Sequence, residues 1–483
     1  MNLLATGRRN FRETLAAALV IVAGAVLFST SLLINSWLYV AVAIGCAALI
    51  YAFVRKPQIW IYVVVLSLYF FFNTNQEDAG AGGLGGQEIA FGLFYHGSLI
   101  TWFCWQIFVL RKKLVRSGAD RLFLLFLAAL SLNFFVAYFN DIEPMKWVRG
   151  WQYYLLFLYY FPIREYFSDE RDLRRLLVVW GISTLYTGIA YLYEYKSLAM
   201  NFKWANQVYY IGVRRAGFFY STASILCLAG ILLDKGRLKK ILWMTGFVFV
   251  LIILIISLAR TAWVSFTISS VILALILPLR ERLRLAAYSA GIGAVVVAAT
   301  FLVAPRIANV ALTIIELRFN SSSNISNDPS YLSRTMENES LLAGIAEYPL
   351  GGQGLQKEHV RYDLIDMRHI VSIYGHNGYF TFAYLVGIPL AALFYGILGY
   401  YVLAALRRAR QAGDILSRLL YAGVGCGFIN AFIGNIMGSV FDQREGLFIT
   451  AFLIGFFGIA EKLELRRRAA ASPQFAGTLQ QAE

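Results

Sequence analysis

Residues 241–279 read ILWMTGFVFVLIILIISLARTAWVSFTISSVILALILPL. Two apolar runs, 241–258 and 262–279, stand on either side of the short joint Ala259-Arg260-Thr261. Each approaches the ~20 residues that the hydrocarbon core of a bilayer demands of a helix. Neither run has the polar stripe that a helix lying on a soluble core needs. The stretch therefore reads as a helical hairpin whose solvent is lipid, with one arginine at its tip.

The rest of the chain agrees. Its 483 residues are 59% hydrophobic and 15% charged, with a mean hydropathy of +0.61, whereas soluble domains carry roughly 25% charged residues. A string of soluble domains is thereby excluded. Comparable runs fall near 14–34, 36–54, 58–73, 89–110, 121–139, 150–166, 175–194, 216–233, 285–304, 378–404, 416–437 and 446–460. With the two above, they predict an all-α polytopic membrane protein of about fourteen transmembrane helices. The run 150–166 is short and is interrupted by Pro162.

Threaded with the N-terminus inside, the loops separate by charge. Most of the 43 Lys and Arg residues fall inside, in Arg111–Arg121, Arg164–Arg175, Lys235–Lys240, Arg280–Arg284, Arg407–Arg418 and Lys462–Arg468. Cationic loops stay on the cytoplasmic side, which supports the count. The formal charge of +15 is thus a membrane-orienting feature and gives no reason to invoke nucleic acid. The predicted organisation is a cytoplasmic N-terminus over 1–13, membrane helices over 14–304, an outer loop over 305–377, three more helices over 378–460 and a cytoplasmic tail over 461–483. Thr6-Gly7-Arg8-Arg9 faintly resembles a twin-arginine export signal, but a basic cap on the first span is the simpler reading. The four cysteines, Cys46, Cys104, Cys227 and Cys426, all lie in apolar runs, which excludes a disulfide framework and a cysteine zinc site.

Basic residues on the outer side oppose this bias and need their own reasons. Arg214 and Arg215 precede one span, Arg260 sits in the hairpin joint, and Arg306, Arg318, Arg334, Lys357, Arg361 and Arg368 lie in the long outer loop. Arg260 either snorkels to lipid headgroups or binds an anion. In the loop, Asp328-Pro329-Ser330 predicts a helix start, with Leu332, Met336, Leu341 and Ile345 as its apolar stripe. Arg334 would then lie in the first turn, within reach of a surface pair with Glu337. The helix should end at Pro349-Leu-Gly-Gly-Gln-Gly354, a plain turn or a set of backbone amides, including those of Gly352 and Gly354, open to phosphate. Of the histidines in the loop, His359, His369 and His376, only His376 opens the next membrane span, and the three spacings match no familiar zinc pattern. A neutral imidazole there is suited to deprotonating a hydroxyl.

Ser257-Leu-Ala-Arg260, Ser333-Arg334, Pro349-Leu-Gly-Gly-Gln-Gly354 and His376-Asn377-Gly-Tyr-Phe, in this order and on this side, resemble the O-antigen ligase and O-antigen or exopolysaccharide polymerase family. The resemblance spans roughly 205–400. Arg215-Ala-Gly217-Phe218 adds to it, although Tyr220 and Ser221 stand where that family commonly has Pro-Asn. It implies a membrane glycosyltransferase fold of the GT-C-like kind, in the bacterial inner membrane with its active face periplasmic. It also implies an undecaprenyl-diphosphate-linked glycan donor, a glycan or lipid A–core acceptor, surrounding membrane lipid, room for a chain-length regulator, and no cofactor or metal. Carried onto this chain, it implies His376, Arg260 and Arg334 as catalytic residues. Arg215, Asn377, Gly352 and Gly354 would then contact substrate.

The chemistry of such a transfer is consistent with the outer arginines. Breaking a sugar–diphosphate bond releases a multiply charged leaving group, and arginine grips phosphate with a planar fork. No Asp-x-Asp pair lies in an outer loop to hold a divalent cation. A competing class is a lipid-linked glycan flippase, which would more naturally show repeated halves and charges at the bilayer midplane. Neither is visible. Ligase and polymerase share these motifs, with a slight lean to polymerase from His376-Asn377 and the span count.

Overall fold

The computed structural model describes residues 55–67, 92–200, 217–233, 236–257, 259–276, 329–364 and 367–471, with isolated positions such as Phe53 and several between 282 and 316. The expected spans at 14–34 and 36–54, most of that at 285–304, the polar tail beyond 471 and Arg215 lie outside the described residues.

In chain order the helices are α1 (Gln58–Leu66), α2 (Ser98–Cys104, flanked by π-helical turns Gly92–Gly97 and Trp105–Val109), α3 (Gly118–Phe139), α4 (Pro144–Tyr154), α5 (Tyr160–Tyr166) and α6 (Glu170–Met200). Then come α7 (Gly217–Leu233), α8 (Arg237–Ile256), α9 (Arg260–Ile276), α10 (Pro329–Glu347), α11 (Gly378–Val386), α12 (Ile388–Gln411), α13 (Ile415–Gly434) and α14 (Arg444–Ala471). Among the described residues six helices, α3, α6, α8, α12, α13 and α14, are long and apolar enough to cross a membrane, and α7 and α9 are shorter apolar helices. The chain is a helical membrane protein. One departure from all-α is an antiparallel hairpin of β1 (His359–Asp363) and β2 (Arg368–Ser372), with Val360 opposite Val371 and Asp363 opposite Arg368.

Two sequence expectations are corrected. The span expected at 378–404 is two helices, broken at Gly387 with φ of 84° and restarted by Pro389 in the first turn of α12. His376 therefore opens a nine-residue helix, and the membrane helix follows it. The weak span at 150–166 is α4, a 3-10 stretch Leu155–Tyr159, and α5. Pro162 cannot donate to Leu158 and its ring crowds that carbonyl, so the α-helical ladder is interrupted there. The last helix continues to Ala471, into the segment expected as tail.

The loops sort to two ends of the bundle. At one end, Glu165 accepts from Lys112 (2.6 Å) and Arg116 (3.1 Å), Asp120 pairs with Arg164 (3.1 Å), and Arg467 pairs with Asp414 and with Glu170 (3.4 Å). At the other, Asn140 Nδ2 donates to the Gln353 carbonyl (2.8 Å), Lys357 Nζ to the Asn140 carbonyl (3.1 Å), and Lys146 pairs with Glu358 (3.3 Å). α3, with 22 residues, spans about 33 Å between them. The loops joined at the first end are among those the charge bias assigned to the inside, and those at the second were assigned to the outside.

α13 and α14 form the centre, and most of each is buried. Gly423, Gly425 and Gly427 of α13 let it approach α7 at Leu226, α12 at Leu406 and α14 at Leu453, the close packing that small residues permit between membrane helices. Asn430 Nδ2 ties α13 to α7 through Ser221 (2.7 Å) and Thr222 (3.0 Å).

Candidate functional site

The site end of the bundle is organised around a buried carboxylate. Glu337, in the third turn of α10, is 0% exposed. Its Oε2 accepts from the His376 backbone N–H (2.9 Å) and from His376 Nδ1 (2.8 Å), and its Oε1 accepts from His359 Nε2 (3.2 Å). The Arg361 Nε lies 3.7 Å from the same Oε1. Burial alone would raise the carboxyl, but the hydrogen bonds from His359 and His376 outweigh it and hold Glu337 well below the ordinary carboxylate range. It is an anion in this setting.

This overturns the expected surface pair of Glu337 with Arg334. The apolar stripe of α10 is also turned: Leu341 and Ile345 are buried as expected, whereas Leu332 and Met336 are exposed. In the first half of α10 the inward residues are Ser333 and Glu337. Ser333 Oγ accepts from the Leu364 N–H (2.9 Å), fixing the hairpin that carries His359 and Arg361.

The backbone is held on both sides of His376. The Gly375 carbonyl accepts from Ser439 Oγ, and the Gly378 N–H donates to the Asn435 carbonyl (2.9 Å). A side chain at Gly375 would run into Thr381 Oγ1, and one at Gly378 into the Asn435 amide. The His376 ring is 34% exposed, packed by Glu337 on one side and by Arg361 Nη1 at 2.9 Å from Nδ1 and 3.4 Å from Nε2. Burial lowers its pKa from the ordinary 6.5; Glu337 opposes this, and Arg334 and Arg361 add to it. The imidazole is neutral near pH 7, as the sequence reading required of a base.

The other predicted residues fall as follows. Arg334 lies one turn before Glu337, close enough to disfavour a proton on His376, with Nη1 3.7 Å from Met437 Sδ. Arg260 begins α9. The Ser257 hydroxyl accepts from the Ala259 N–H (3.4 Å) and donates to the Leu254 carbonyl (2.7 Å), turning the chain so that Arg260 starts the new helix. α7 enters at the site end, where Ser221 and Thr222 meet Asn430, and α8 packs along α7 and returns toward that end. Arg260 is thus on the same side as His376.

Asn377 caps α11, its Oδ1 accepting from Tyr379 (3.1 Å) and Phe380 (3.4 Å). The amides expected to be open to phosphate are engaged: Gly352 N–H donates to Tyr348 (3.0 Å), Gln353 to Tyr384 (2.7 Å) and Gly354 to Leu385 (2.9 Å). The glycine turn closes off the carbonyl end of α11, a structural task.

Two acidic groups were not singled out as site residues in the sequence. Glu337 had a legible signal, an acid at helical spacing from the arginine, which was read as a surface partner. Asp442 had none. It sits in the 3-10 turn Val440–Asp442, 7% exposed, with Tyr154 OH donating to Oδ1 (3.1 Å). Burial pushes it up to about 7 against the opposing bonds of Tyr154 and Ser439. Among the described residues no three His, Cys, Asp or Glu side chains are grouped so as to hold a metal ion. The arrangement offers a neutral imidazole on an anionic support, rimmed by arginines. It suits removal of a hydroxyl proton beside a phosphate-rich group.

No curated protein matches the chain. Residues 245–395 match the family described as O-Antigen ligase, a segment that contains the Ser257–Arg260 turn, Arg334, Glu337, the glycine turn and His376. The candidate site thus lies within the segment that is similar to this family.

Proposed function

We propose that the protein transfers or joins glycans carried on undecaprenyl diphosphate, at the periplasmic face of the bacterial inner membrane. The observation that carries this reading is the neutral, partly exposed His376 with Arg334 and Arg361 beside it. His376 takes the proton of an acceptor sugar hydroxyl, whose oxygen attacks the anomeric carbon from the face opposite the diphosphate. The product is inverted at that centre. Arg260 and Arg334 hold the diphosphate and offset its growing charge, the work a metal performs in other transferases. Arg215 serves the same end of the donor. Within this reading the chain has about fourteen spans in a GT-C-like arrangement, with 305–377 as the periplasmic loop over the site and both ends cytoplasmic.

The test is deletion of the gene in its host and extraction of the envelope glycans. Complementation follows with wild type, His376→Ala, Arg260→Ala and Arg334→Ala, each checked for membrane expression. Loss of long polymer that none of the variants restores is the expected result. Accumulated single lipid-linked repeats identify a polymerase, and accumulated full-length lipid-linked polymer a ligase. Full rescue by the variants overturns the reading and favours a flippase.

A further inference from the structure

The sequence motifs account for a base and for arginines, but not for a fully buried glutamate between them. Four donors converge on or near Glu337 from two elements outside its own helix: His359 and Arg361 on β1, and the backbone and ring of His376. Burying a carboxylate to 0% exposure is unfavourable unless such partners are supplied. A helix needing only to pack would place an apolar residue there, as α10 does one turn later at Leu341.

The carboxylate contact, the shortest at the ring, sets the proton's place on the imidazole. His376 Nδ1 faces both Glu337 Oε2 at 2.8 Å and Arg361 Nη1 at 2.9 Å. A bare Nδ1 would set its lone pair against the carboxylate, whereas Nδ1–H donates to it. With the proton on Nδ1, Nε2 keeps its lone pair, and Arg361 Nη1 at 3.4 Å is the described donor in its reach.

We propose that Glu337 is the positioning residue of this site, fixing His376 as the Nδ1–H tautomer and balancing the imidazolium that forms during transfer. This rests on the reading of His376 as base. In the step, the acceptor O–H proton moves to Nε2, the oxygen bonds to the anomeric carbon, and the carbon–phosphate oxygen bond breaks. The electron pair leaves on the diphosphate. His376 then carries both ring protons, and Glu337 stays ionised, accepting from Nδ1–H throughout. The charged and titratable groups around this pair are Arg334 on α10, His359 and Arg361 on β1, and His376 itself.

The test is transfer kinetics of the full chain in nanodiscs with lipid-linked glycan donor, comparing wild type, Glu337→Gln, Glu337→Asp, His376→Ala and the double variant Glu337→Gln/His376→Ala. Glu337→Gln keeps the shape and removes the charge. The expected result is a fall in kcat of about 10²–10⁴-fold with donor KM little changed. The acid limb of its pH profile moves to lower pH, because the carboxylate no longer favours the protonated ring. Glu337→Asp recovers part of kcat with the limb nearer that of wild type, and the double variant is no slower than His376→Ala. Glu337→Gln within a few-fold of wild type overturns the proposal. So does a loss accompanied by a lower Tm and an unmoved acid limb, which marks a purely structural glutamate. Activity retained in His376→Ala instead defeats the base assignment itself, and with Glu337→Gln inactive it makes the glutamate the base.

Discussion

The carbonyl of Leu350 rests directly against Gly387, the residue at which α11 stops and α12 begins. Gly387 has φ of 84°, and Gly352, with φ of 69°, meets the same corner from the loop side. The outer loop is therefore latched onto the helix that follows the histidine. The latch uses the backbone of both partners, leaving no space for a Cβ.

Gly352→Ala would place a Cβ within 2.6 Å of backbone atoms at Leu385 and Val386 in an already left-handed conformation. It is expected to cost about 1–3 kcal/mol, read as a lower Tm of the detergent-solubilised protein. Donor binding by the folded fraction should be little changed. A weakened donor KM at unchanged Tm would instead restore the glycine amides as a phosphate site.

Transfer activity should persist to lower pH than an ordinary histidine base allows. Burial first, then Arg334 and Arg361, favours the neutral form of His376, so its pKa lies below 6.5. Neutral base predominates above that pKa and is lost as pH falls through it. Initial rates between about pH 5 and 8 check this, and an acid limb centred above 6.5 would contradict it.

Arg164→Met should destabilise the opposite end of the bundle. Asp120 is 0% exposed and accepts from Arg164 Nη1 (3.1 Å) and Nη2 (3.2 Å), from Tyr160 OH (2.9 Å) and from the Arg116 N–H (2.8 Å). Removing the guanidinium leaves a buried charge without its counter-ion, a loss of about 3–5 kcal/mol. Thermal unfolding reads it, and Arg174→Met, whose pair with Glu170 is exposed, serves as the contrast with an effect below about 1 kcal/mol.

Cysteines introduced at Arg410 and at Glu358 in a cysteine-free background should react from opposite sides of the membrane. The first adjoins the end holding Arg408 and Asp414; the second lies at the end holding Asn140 and Gln353. An impermeant thiol reagent applied outside should label position 358 alone. Labelling of position 410 alone would invert the topology, and the site with it.

Much of this protein could be read from its sequence. Unbroken apolar runs of bilayer length can only be helices, because lipid leaves no other partner for the backbone, and the loop charges sort to two ends for the same reason of solvation. The helix start at Pro329, the arginine at the hairpin tip and a histidine beside Asn377 were all legible, because caps, turns and titratable groups have local causes. The role of Glu337 was not. A hydrophobic stripe assumes that the inward face is apolar, and α10 breaks that rule where its inner face meets His359, Arg361 and His376. Nor could the sequence show that Gln353 and Gly354 donate to α11, or that Asp442 is buried beside Tyr154. Those facts depend on which groups from distant segments arrive at the same point. Only the tertiary structure brings residues 337, 359, 361 and 376 within hydrogen-bonding or ion-pairing reach, where a carboxylate without partners could not remain buried.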